Sequence, residues 1–324
     1  MVRCSAISGE IFYHHDLEAH DENSDRLYNI HAQVPETVPV YQPKSATEDD
    51  LLRVHTKPYV RMIRDFSSHG GHHFIDQSTY ISEESFEVAS FAAGAAMEAL
   101  NRSIDGEHCF ALVRPPGHHA EPDRGMGYCI FNNTAIAVTS ALDRVGRVVI
   151  IDWDIHHGNG TQKIFYQNDR VLYCSIHQSN IFPFSGWVDD IGAGNGKGFT
   201  INAPMVPAST IADYRYVFEE VFIPASNRFK PDAVIISAGQ DALSDDPKSA
   251  MLLSPADYGT LTGLLRDATA LPMALVLEGG YGPSHRDAIG AIFSSLQGAP
   301  ICSGTGLPRQ ATRDLVKVLK KMTL

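Results

Sequence analysis

Hydrophobic runs along the chain predict a series of buried strands. Each run is four to six residues long, rich in β-branched or aliphatic side chains and nearly free of charge. Such continuous apolar runs are typical of strands covered on both faces of a sheet. The predicted strands are residues 108–113, 148–152, 171–176, 199–202, 233–237 and 273–277.

Amphipathic segments between these runs predict helices. One helix begins after Ser82, where two acidic residues fall in the first turn, and continues to about Asn101. Residues 1–80 contain a short helix after Pro58 and are otherwise predicted to be irregular. Alternating helices and buried strands predict an α/β fold, with a single domain over residues 1–324 and a mostly parallel central sheet flanked by helices on both faces. The remaining helices are predicted over residues 134–144, 160–167, 209–229 and 255–268, with one or two more near the C-terminus.

Composition and charge narrow the class of protein. The hydrophobic content of 44% and the charged content of 20% are ordinary for a soluble globular protein. The net charge of -12 argues against nonspecific binding to nucleic acid or to an anionic membrane, and no apolar run is long enough to span a bilayer. Without a signal-peptide pattern or a CxxC pair, we expect a cytoplasmic protein with free thiols. Its cysteines are Cys4, Cys109, Cys129, Cys174 and Cys302.

The segment at residues 148–160 concentrates the candidate chemistry. It opens as a buried strand and carries Asp152, Asp154 and His156 where that strand should end. Residues two apart share a face of an extended chain, so these three side chains can point the same way. In parallel sheets ligands bind beyond the carboxyl ends of the strands, and two carboxylates with an imidazole suit a divalent metal. The alternative is a polar strand end with a capping aspartate.

Three further predicted strands also end in polar residues. Asp241 would complete a three-ligand set with Asp154 and His156, which leaves a coordination position open for water, as in catalytic zinc sites. A pair of histidines would then be free to act as general base and acid, and a tyrosine hydroxyl could donate to a developing oxyanion. Taken singly, each residue has a structural explanation, as a satisfied loop histidine, a helix cap or a turn tyrosine. The residues outside the ligand set are His118, His119 and Tyr281.

These segments resemble the zinc-dependent histone deacetylase and acetylpolyamine amidohydrolase superfamily, which has the arginase/deacetylase fold. The resemblance spans roughly residues 10–295 and looks closest to the class II branch of histone deacetylases. The matching motifs are Arg114-Pro-Pro-Gly-His-His-Ala120, Phe131-Asn-Asn133, Asp152-Trp-Asp-Ile-His-His-Gly-Asn-Gly160, Ser237-Ala-Gly-Gln-Asp-Ala242 and Glu278-Gly-Gly-Tyr281.

The resemblance implies a reaction and a role for each residue around the metal. Zn²⁺ would occupy the three-ligand set and activate the water that hydrolyses the acetyl amide. His119 would transfer the proton, and His118 would pair with Asp152. Tyr281 would stabilise the oxyanion. Asn159 stands where class I members carry a second aspartate, so it can accept a hydrogen bond but supplies no charge.

The resemblance also implies a substrate tunnel and a second cation. Gly127, Tyr128 and Phe182 match the walls of a slot for the acyl-lysine stem, and Ser78 would hold the substrate backbone at the rim. The substrate is therefore expected to be an acetylated lysine of a protein or peptide, or a small acetylated amine. A structural monovalent cation, usually K⁺, is implied near Asp152, Asp154, His156, Ser175 and Ile176.

Two departures concern the entrance of this tunnel. Asp21 follows His20 where the family usually has a His-Pro pair, which affects the entrance loop. Lys248 stands where polyamine deacetylases of the class II branch carry a glutamate that attracts the distal ammonium of the substrate. Because Lys248 would repel such an ammonium, the resemblance favours acetyl-lysine over acetylated polyamines.

Three alternative functions stay open from the sequence. An acetylpolyamine amidohydrolase would use the same chemistry on a different substrate. A ureohydrolase of the same fold needs two metals held by an Asp-x-His-x-Asp order, whereas this chain has Asp-x-Asp-x-His. A silent acyl-lysine binder would be expected to lack His119 or Tyr281, and both are present.

Overall fold

Within the described residues, eight parallel strands form the central sheet. The computed structural model describes residues 3–301 and 306–322. The strands are β1 (Cys4–Ile7), β2 (Val40–Tyr41), β3 (His73–Phe74), β4 (Tyr80–Ile81), β5 (His108–Ala111), β6 (Val148–Asp152), β7 (Val171–Gln178), β8 (Thr200–Met205), β9 (Ala233–Ala238) and β10 (Met273–Leu277). The spatial order in the main sheet is β2-β1-β5-β10-β9-β6-β7-β8, and β3 pairs with β4 in a separate antiparallel ribbon.

Helices connect the strands and cover the sheet. They are α1 (Asp25–His31), α2 (Glu48–Leu52), α3 (Lys57–Ser68), α4 (Ser85–Ile104), α5 (Asn133–Ala141), α6 (Asn159–Phe165), α7 (Ile211–Val217), α8 (Ile223–Phe229), α9 (Pro255–Thr269), α10 (His285–Leu296) and α11 (Gln310–Met322). Short 3₁₀ turns occupy Glu10–Tyr13 and Gly194–Gly196. The alanine-rich helix α4 packs against β5 and β10 at the centre of the sheet.

The predicted α/β class is confirmed, because the buried apolar runs are the central strands. Every residue of β5, β6, β9 and β10 is buried, as the lack of polar alternation in these runs indicated. Each neighbouring pair in the main sheet runs parallel. Among the described residues, none of the helices combines the length and the apolar content needed to cross a bilayer.

Two predictions of secondary structure were wrong in detail. The first 80 residues are not irregular: they contribute β1 and β2 to the main sheet and several helices. The helix predicted over residues 209–229 is interrupted by a π-helical turn at Phe218–Phe222. Pro224 lies near the start of the following helix and has no N–H to donate, so a uniform α-helical hydrogen-bond pattern cannot continue through it.

The cysteines behave as predicted in the part of the chain that the structure describes. Cys4, Cys109, Cys129 and Cys174 are buried free thiols. Burial raises the pKa of Cys4 and Cys109 to about 12, so both thiols are protonated at neutral pH. Cys302 lies outside the described residues.

A buried charge network ties the N-terminal loop to the sheet. The Glu22 carboxylate accepts hydrogen bonds from Arg114 Nε at 2.7 Å and from Arg26 Nη1 at 2.8 Å. Arg26 also donates to the carbonyls of Glu278, at 2.6 Å, and Gly280, at 2.9 Å, just after β10. Burial alone would raise the pKa of Glu22, but the charges of Arg114 and Arg26 outweigh it and lower that pKa to about 2. The network therefore fixes the entrance loop against two central strands.

Replacing Glu22 should destabilise the protein. Glu22→Gln leaves two buried guanidinium groups without their counter-charge, which typically costs about 3–5 kcal/mol in the free energy of unfolding. Because the folded-state pKa of Glu22 is lowered, its contribution is present above the unfolded value of 4.5 and is lost as the pH falls towards 2. Urea unfolding across this pH range should show a smaller acid-dependent loss in the variant than in the parent.

Glu48→Gln provides the control for this prediction. Glu48 pairs with Arg64 in a half-exposed surface contact, so its replacement should change the free energy of unfolding by less than about 1 kcal/mol. Equal effects of the two substitutions at pH 7 would contradict the assignment of Glu22 as a structural charge.

Candidate metal centre and active site

The four central strands β5, β10, β9 and β6 end around one cavity. They are neighbours in the sheet although they are far apart in sequence. The cavity has a volume of about 220 Å³, and its lining includes the predicted metal ligands, the paired histidines, the tyrosine and the tunnel walls. The rim residues Ser78 and Lys248 line it as well. The predicted residues outside this lining are Asp152, Asn159, Ser175 and Ile176.

Three side chains at the base of the cavity are arranged as a metal-binding set. One ligand atom from each of Asp154, His156 and Asp241 lies within 4.8 Å of the others. His156 Nδ1 is 3.2 Å from a carboxylate oxygen of Asp154 and 3.0 Å from one of Asp241. The other Asp241 oxygen accepts the N–H of Ile155 at 2.8 Å, which holds the carboxylate in this orientation. The backbone of the turn that follows β6 thus orients both carboxylates towards one position.

The electrostatics of this set suit a divalent cation. Burial raises the pKa of Asp241 to about 7, and the negative charge of Asp154 adds to the effect. Burial also acts against ionisation of Asp154, but the charges of His118 and His156 outweigh it and lower that pKa. Two carboxylates and an imidazole are ordinary ligands of Zn²⁺, and a cation would offset the repulsion between the acids. The residues therefore fit the predicted metal.

The paired histidines have different partners. His118 Nδ1 lies 3.1 Å from Asp152, whereas His119 Nδ1 lies 2.9 Å from the side-chain oxygen of Asn159. Burial opposes the charged form of both rings. For His118, the carboxylates of Asp154 and Asp152 outweigh burial and raise the pKa well above its usual range. For His119, burial and the nearby charge of His118 lower the pKa well below that range.

Aromatic rings form the walls of the cavity above the metal-binding set. The Phe182 ring lies edge-on to His119, with 5.0 Å between ring centroids, and Tyr128 lies edge-on to Tyr281 at 5.6 Å. A Cβ atom on Gly127 would lie 2.6 Å from the His119 ring and 2.8 Å from Phe182. Only glycine therefore keeps this part of the slot open.

The rim contains an ion pair that the sequence analysis did not predict. Lys248 Nζ donates to the carboxylate of Asp21, and the Tyr128 hydroxyl lies 3.4 Å from the same oxygen. The charge of Lys248, which was expected to be free to repel a cationic substrate, is thus paired with an acid. On the other side, the carbonyl of Ser78 lies 2.9 Å from His20 Nε2. The only sequence signal for this arrangement was the unusual Asp21.

The predicted ligands of a second cation lie behind the metal-binding set. Asp152 on β6 and Ser175 on β7 are register partners, and Ile176 is the next residue of β7. The Ser175 hydroxyl is 2.8 Å from His177 Nδ1. The K⁺ site itself stays a prediction.

Glu278 and Asp246, for which no function was predicted, hold the loops of the site in place by hydrogen bonds. Glu278 is fully buried, and one of its oxygens accepts the N–H groups of Gly117, at 2.7 Å, and His118, at 3.1 Å. Asp246 accepts the N–H groups of Tyr281, at 2.6 Å, and Lys248, at 2.8 Å. Glu278 lies inside a recognised motif, and Asp246 lies in the turn before Lys248, which resembles the corresponding turn of related enzymes, so both positions could have been noticed.

Comparisons with known proteins agree with this geometry. The family model of the histone deacetylase domain matches residues 20–295. A probable deacetylase from Archaeoglobus fulgidus is 37% identical over 297 residues, covering 85% of this chain and 81% of the relative. A histone deacetylase-like amidohydrolase from Pseudomonas aeruginosa is 38% identical over 280 residues, covering 83% and 71%. The crystal structure of the HDA15 HD domain matches with a TM-score of 0.93 and 33% identity, covering 99% of this chain and 94% of that one.

The parallel sheet, the polar strand ends and these relatives together define a class of enzyme, a hydrolase that acts on amide bonds. Within that class, the chain belongs to the histone deacetylase family. The predicted family and fold are thereby confirmed, and the cluster of Asp154, His156 and Asp241 is the candidate metal site.

Loss of one ligand should remove metal and activity together. In Asp241→Asn the amide oxygen can still accept the Ile155 N–H, but a negative ligand is lost, so the metal content should fall to a small fraction of that of the parent, for which we expect one divalent ion per chain. Elemental analysis and deacetylation of an acetyl-lysine peptide would measure both. Because the substitution also removes repulsion between buried acids, the melting temperature of the metal-free variant should not fall.

Asp105→Asn, an exposed aspartate at the end of α4, is the matched control and should keep metal and activity. Full activity of the parent after exhaustive chelation, with no metal detected, would disprove the metal centre.

Proposed function

We propose that the protein removes acetyl groups from the ε-amine of lysine in proteins or peptides, with Zn²⁺ as its catalytic metal. One observation carries this proposal: a single cavity is lined by the aromatic slot, by the metal-binding set and by His119 and Tyr281. A four-carbon stem that has lost its charge by acetylation suits an apolar slot of this kind. The likeness to proteins described as deacetylases supports the same chemistry.

The metal and the chain contribute different parts of the reaction. A Zn²⁺ ion held by Asp154, His156 and Asp241 would polarise the acetyl carbonyl and lower the pKa of water. His119 supplies the base: its low pKa keeps the ring neutral, and donation from Nδ1–H to Asn159 leaves Nε2 free to accept a proton. The same nitrogen can then return the proton to the lysine amine as it leaves.

His118 and Tyr281 act on the charge that develops during the reaction. His118 is held against Asp152 and carries a positive charge near the base of the slot. Burial raises the pKa of the Tyr281 hydroxyl well above its usual range, so it stays protonated and can donate a hydrogen bond to the oxyanion. We also propose a structural K⁺ near Asp152 and Ser175, and a cytoplasmic location, for which the free thiols and negative charge are the support.

The division of labour between the two histidines tests the mechanism. His119→Ala should lower kcat by about 10²–10⁴, the range typical of a general acid–base, while metal content is unchanged. His118→Ala should lower kcat less, because this ring supplies charge and does not transfer the proton. Steady-state kinetics on an acetyl-lysine peptide would measure both losses. A larger loss for His118→Ala would reverse the assignment, and unaltered turnover in both variants would contradict the proposed mechanism.

The rim ion pair bears on the choice between acetyl-lysine and acetylated polyamines. With Asp21 and Lys248 paired, the mouth carries little net charge, so the parent gains nothing from the distal ammonium of a polyamine. Acetylated polyamines stay the second candidate substrate, because an unpaired Asp21 would attract their distal ammonium. Since Asp21 is paired with Lys248, we propose acetyl-lysine in a protein or peptide as the substrate.

Substitutions in this pair should act in opposite directions. Lys248→Ala exposes the Asp21 carboxylate and should raise kcat/KM for acetylspermidine by a few-fold, whereas Asp21→Asn exposes Lys248 and should lower it by about as much. Both groups are partly exposed, so salt should weaken both effects. A neutral acetyl-lysine amide is the control substrate and should change by less than about twofold. Changes of the same sign in the two variants would show that shape, not charge, controls the mouth.

A further inference from the structure

A buried acid, Glu121, is joined to His119 through the side chain of Asn159. The Asn159 side-chain oxygen lies 2.9 Å from His119 Nδ1, and Asn159 Nδ2 donates to a carboxylate oxygen of Glu121 at 2.9 Å. Only 5% of the surface of Glu121 is accessible. Glu121 is not among the residues that line the cavity, so any effect that it has on the reaction must pass through other side chains.

Two cations hold the Glu121 carboxylate in place. Arg124 donates to it through Nη2 at 2.8 Å and through Nε at 3.1 Å, and Lys163 Nζ donates at 2.6 Å. Burial opposes the ionised form of Glu121, but the hydrogen bonds from Arg124 and Lys163 outweigh it and lower the pKa of this carboxyl. An ionised carboxylate can only accept hydrogen bonds. The part of Asn159 that faces Glu121 is therefore its NH₂ group and not its oxygen.

The orientation of the Asn159 amide decides which nitrogen of His119 carries the proton. With the NH₂ group on Glu121, the amide oxygen faces His119 Nδ1 and can only accept, so Nδ1 carries the hydrogen and Nε2 keeps a free lone pair. Other acceptors near the NH₂ group are farther away: the His119 carbonyl at 3.4 Å and Met126 Sδ at 3.5 Å. An amide turned by 180° would donate to Nδ1 and leave the hydrogen on Nε2, where the ring could not act as a base.

We propose that Glu121 is a positioning residue that sets the tautomer of His119 through Asn159. The inference rests on the proposed function, in which Nε2 of His119 is the base, and adds to it a residue that does not touch the substrate. Its support is the continuous chain of hydrogen bonds from the His119 ring to an acid that two cations hold in one orientation. A carboxylate at position 159 would not need this acid, because both of its oxygens accept.

Removal of the acid should slow the reaction without weakening substrate binding. In Glu121→Ala, kcat on an acetyl-lysine peptide should fall by about ten- to hundredfold, the factor that a hydrogen bond to a charged group supplies, while KM and metal content stay within about twofold of the parent. Arg124 and Lys163 are more than half exposed, so water can replace the lost acid and the variant should fold. Asp123→Asn changes an exposed acid 3.9 Å from Lys163 and is the matched control, which should keep the kcat of the parent.

A second substitution, Asn159→Asp, separates positioning of His119 from a merely structural role. In the parent it places a carboxylate against the ionised Glu121, and the repulsion should lower kcat by roughly tenfold. In the Glu121→Ala background the same substitution should instead raise kcat by about tenfold, because a carboxylate accepts from Nδ1–H in either orientation. A residue that only held the fold together would not be rescued by a change at position 159.

The tautomer itself can be measured without turnover. Long-range ¹H–¹⁵N NMR spectra of protein labelled with ¹⁵N-histidine distinguish the protonated ring nitrogen from the other, and loss of a signal in His119→Ala assigns this ring. In the parent, Nδ1 should carry the proton. In Glu121→Ala the signals should shift towards the form protonated on Nε2, and Asn159→Asp in that background should reverse the shift.

The outcomes separate this inference from the proposed function. An unchanged tautomer in Glu121→Ala overturns the inference, whatever happens to turnover. A kcat equal to that of the parent, or a loss of kcat that Asn159→Asp does not rescue, overturns it as well and leaves Glu121 a structural acid. If the parent turns over no acetyl-lysine substrate but the tautomer still depends on Glu121, the proposed function fails and the positioning of His119 stands.

Discussion

The structure around the site depends on how the negative charge of its buried carboxylates is compensated. Asp152, Asp154, Asp241 and Glu278 are all fully or almost fully buried at the carboxyl ends of the central strands. Isolated charges in such a place would be prohibitively costly, so each acid is met by imidazole or by backbone N–H groups. The turns after β5, β6 and β10 supply these N–H groups. Each turn therefore has a backbone conformation that points its N–H groups at a carboxylate. A bound cation would offset the negative charge of these carboxylates further.

Close approach of backbone to carboxylate also explains the glycines in the recognised motifs. A Cβ atom on Gly239 would lie 2.1 Å from an oxygen of Asp154, and one on Gly279 would lie 2.4 Å from an oxygen of Asp241. Any larger residue would push the ligands apart. The N–H of Gly279 instead donates to Asp154 at 2.9 Å, so the Asp154 carboxylate lies close to the space that a side chain would need.

The parts that sequence could predict are those fixed by local pattern. Buried parallel strands lack polar alternation, so β6, β9 and β10 were recognisable, and polar residues at their ends had to meet at one edge. By contrast, β1 has four residues and β2 only two, too few to give a periodic signal. The contact between Asp21 and Lys248 joins residues 227 positions apart, and that between Glu22 and Arg114 joins residues 92 positions apart. Such features arise from tertiary structure and leave little trace in the local sequence.

The position of β10 has a consequence for how the site is assembled. It is the last strand along the described residues, yet it lies between β5 and β9, at the centre of the sheet. Until it is inserted, the strands that carry His119 and Asp241 have no common neighbour, and Gly279 cannot meet Asp154. Asp154, His156 and Asp241 follow β6 and β9, which pair directly, but His118 and His119 can join them only once β10 has been made and has linked β5 to β9. Completion of the candidate active site is in this sense a late event, which follows the assembly of the central sheet.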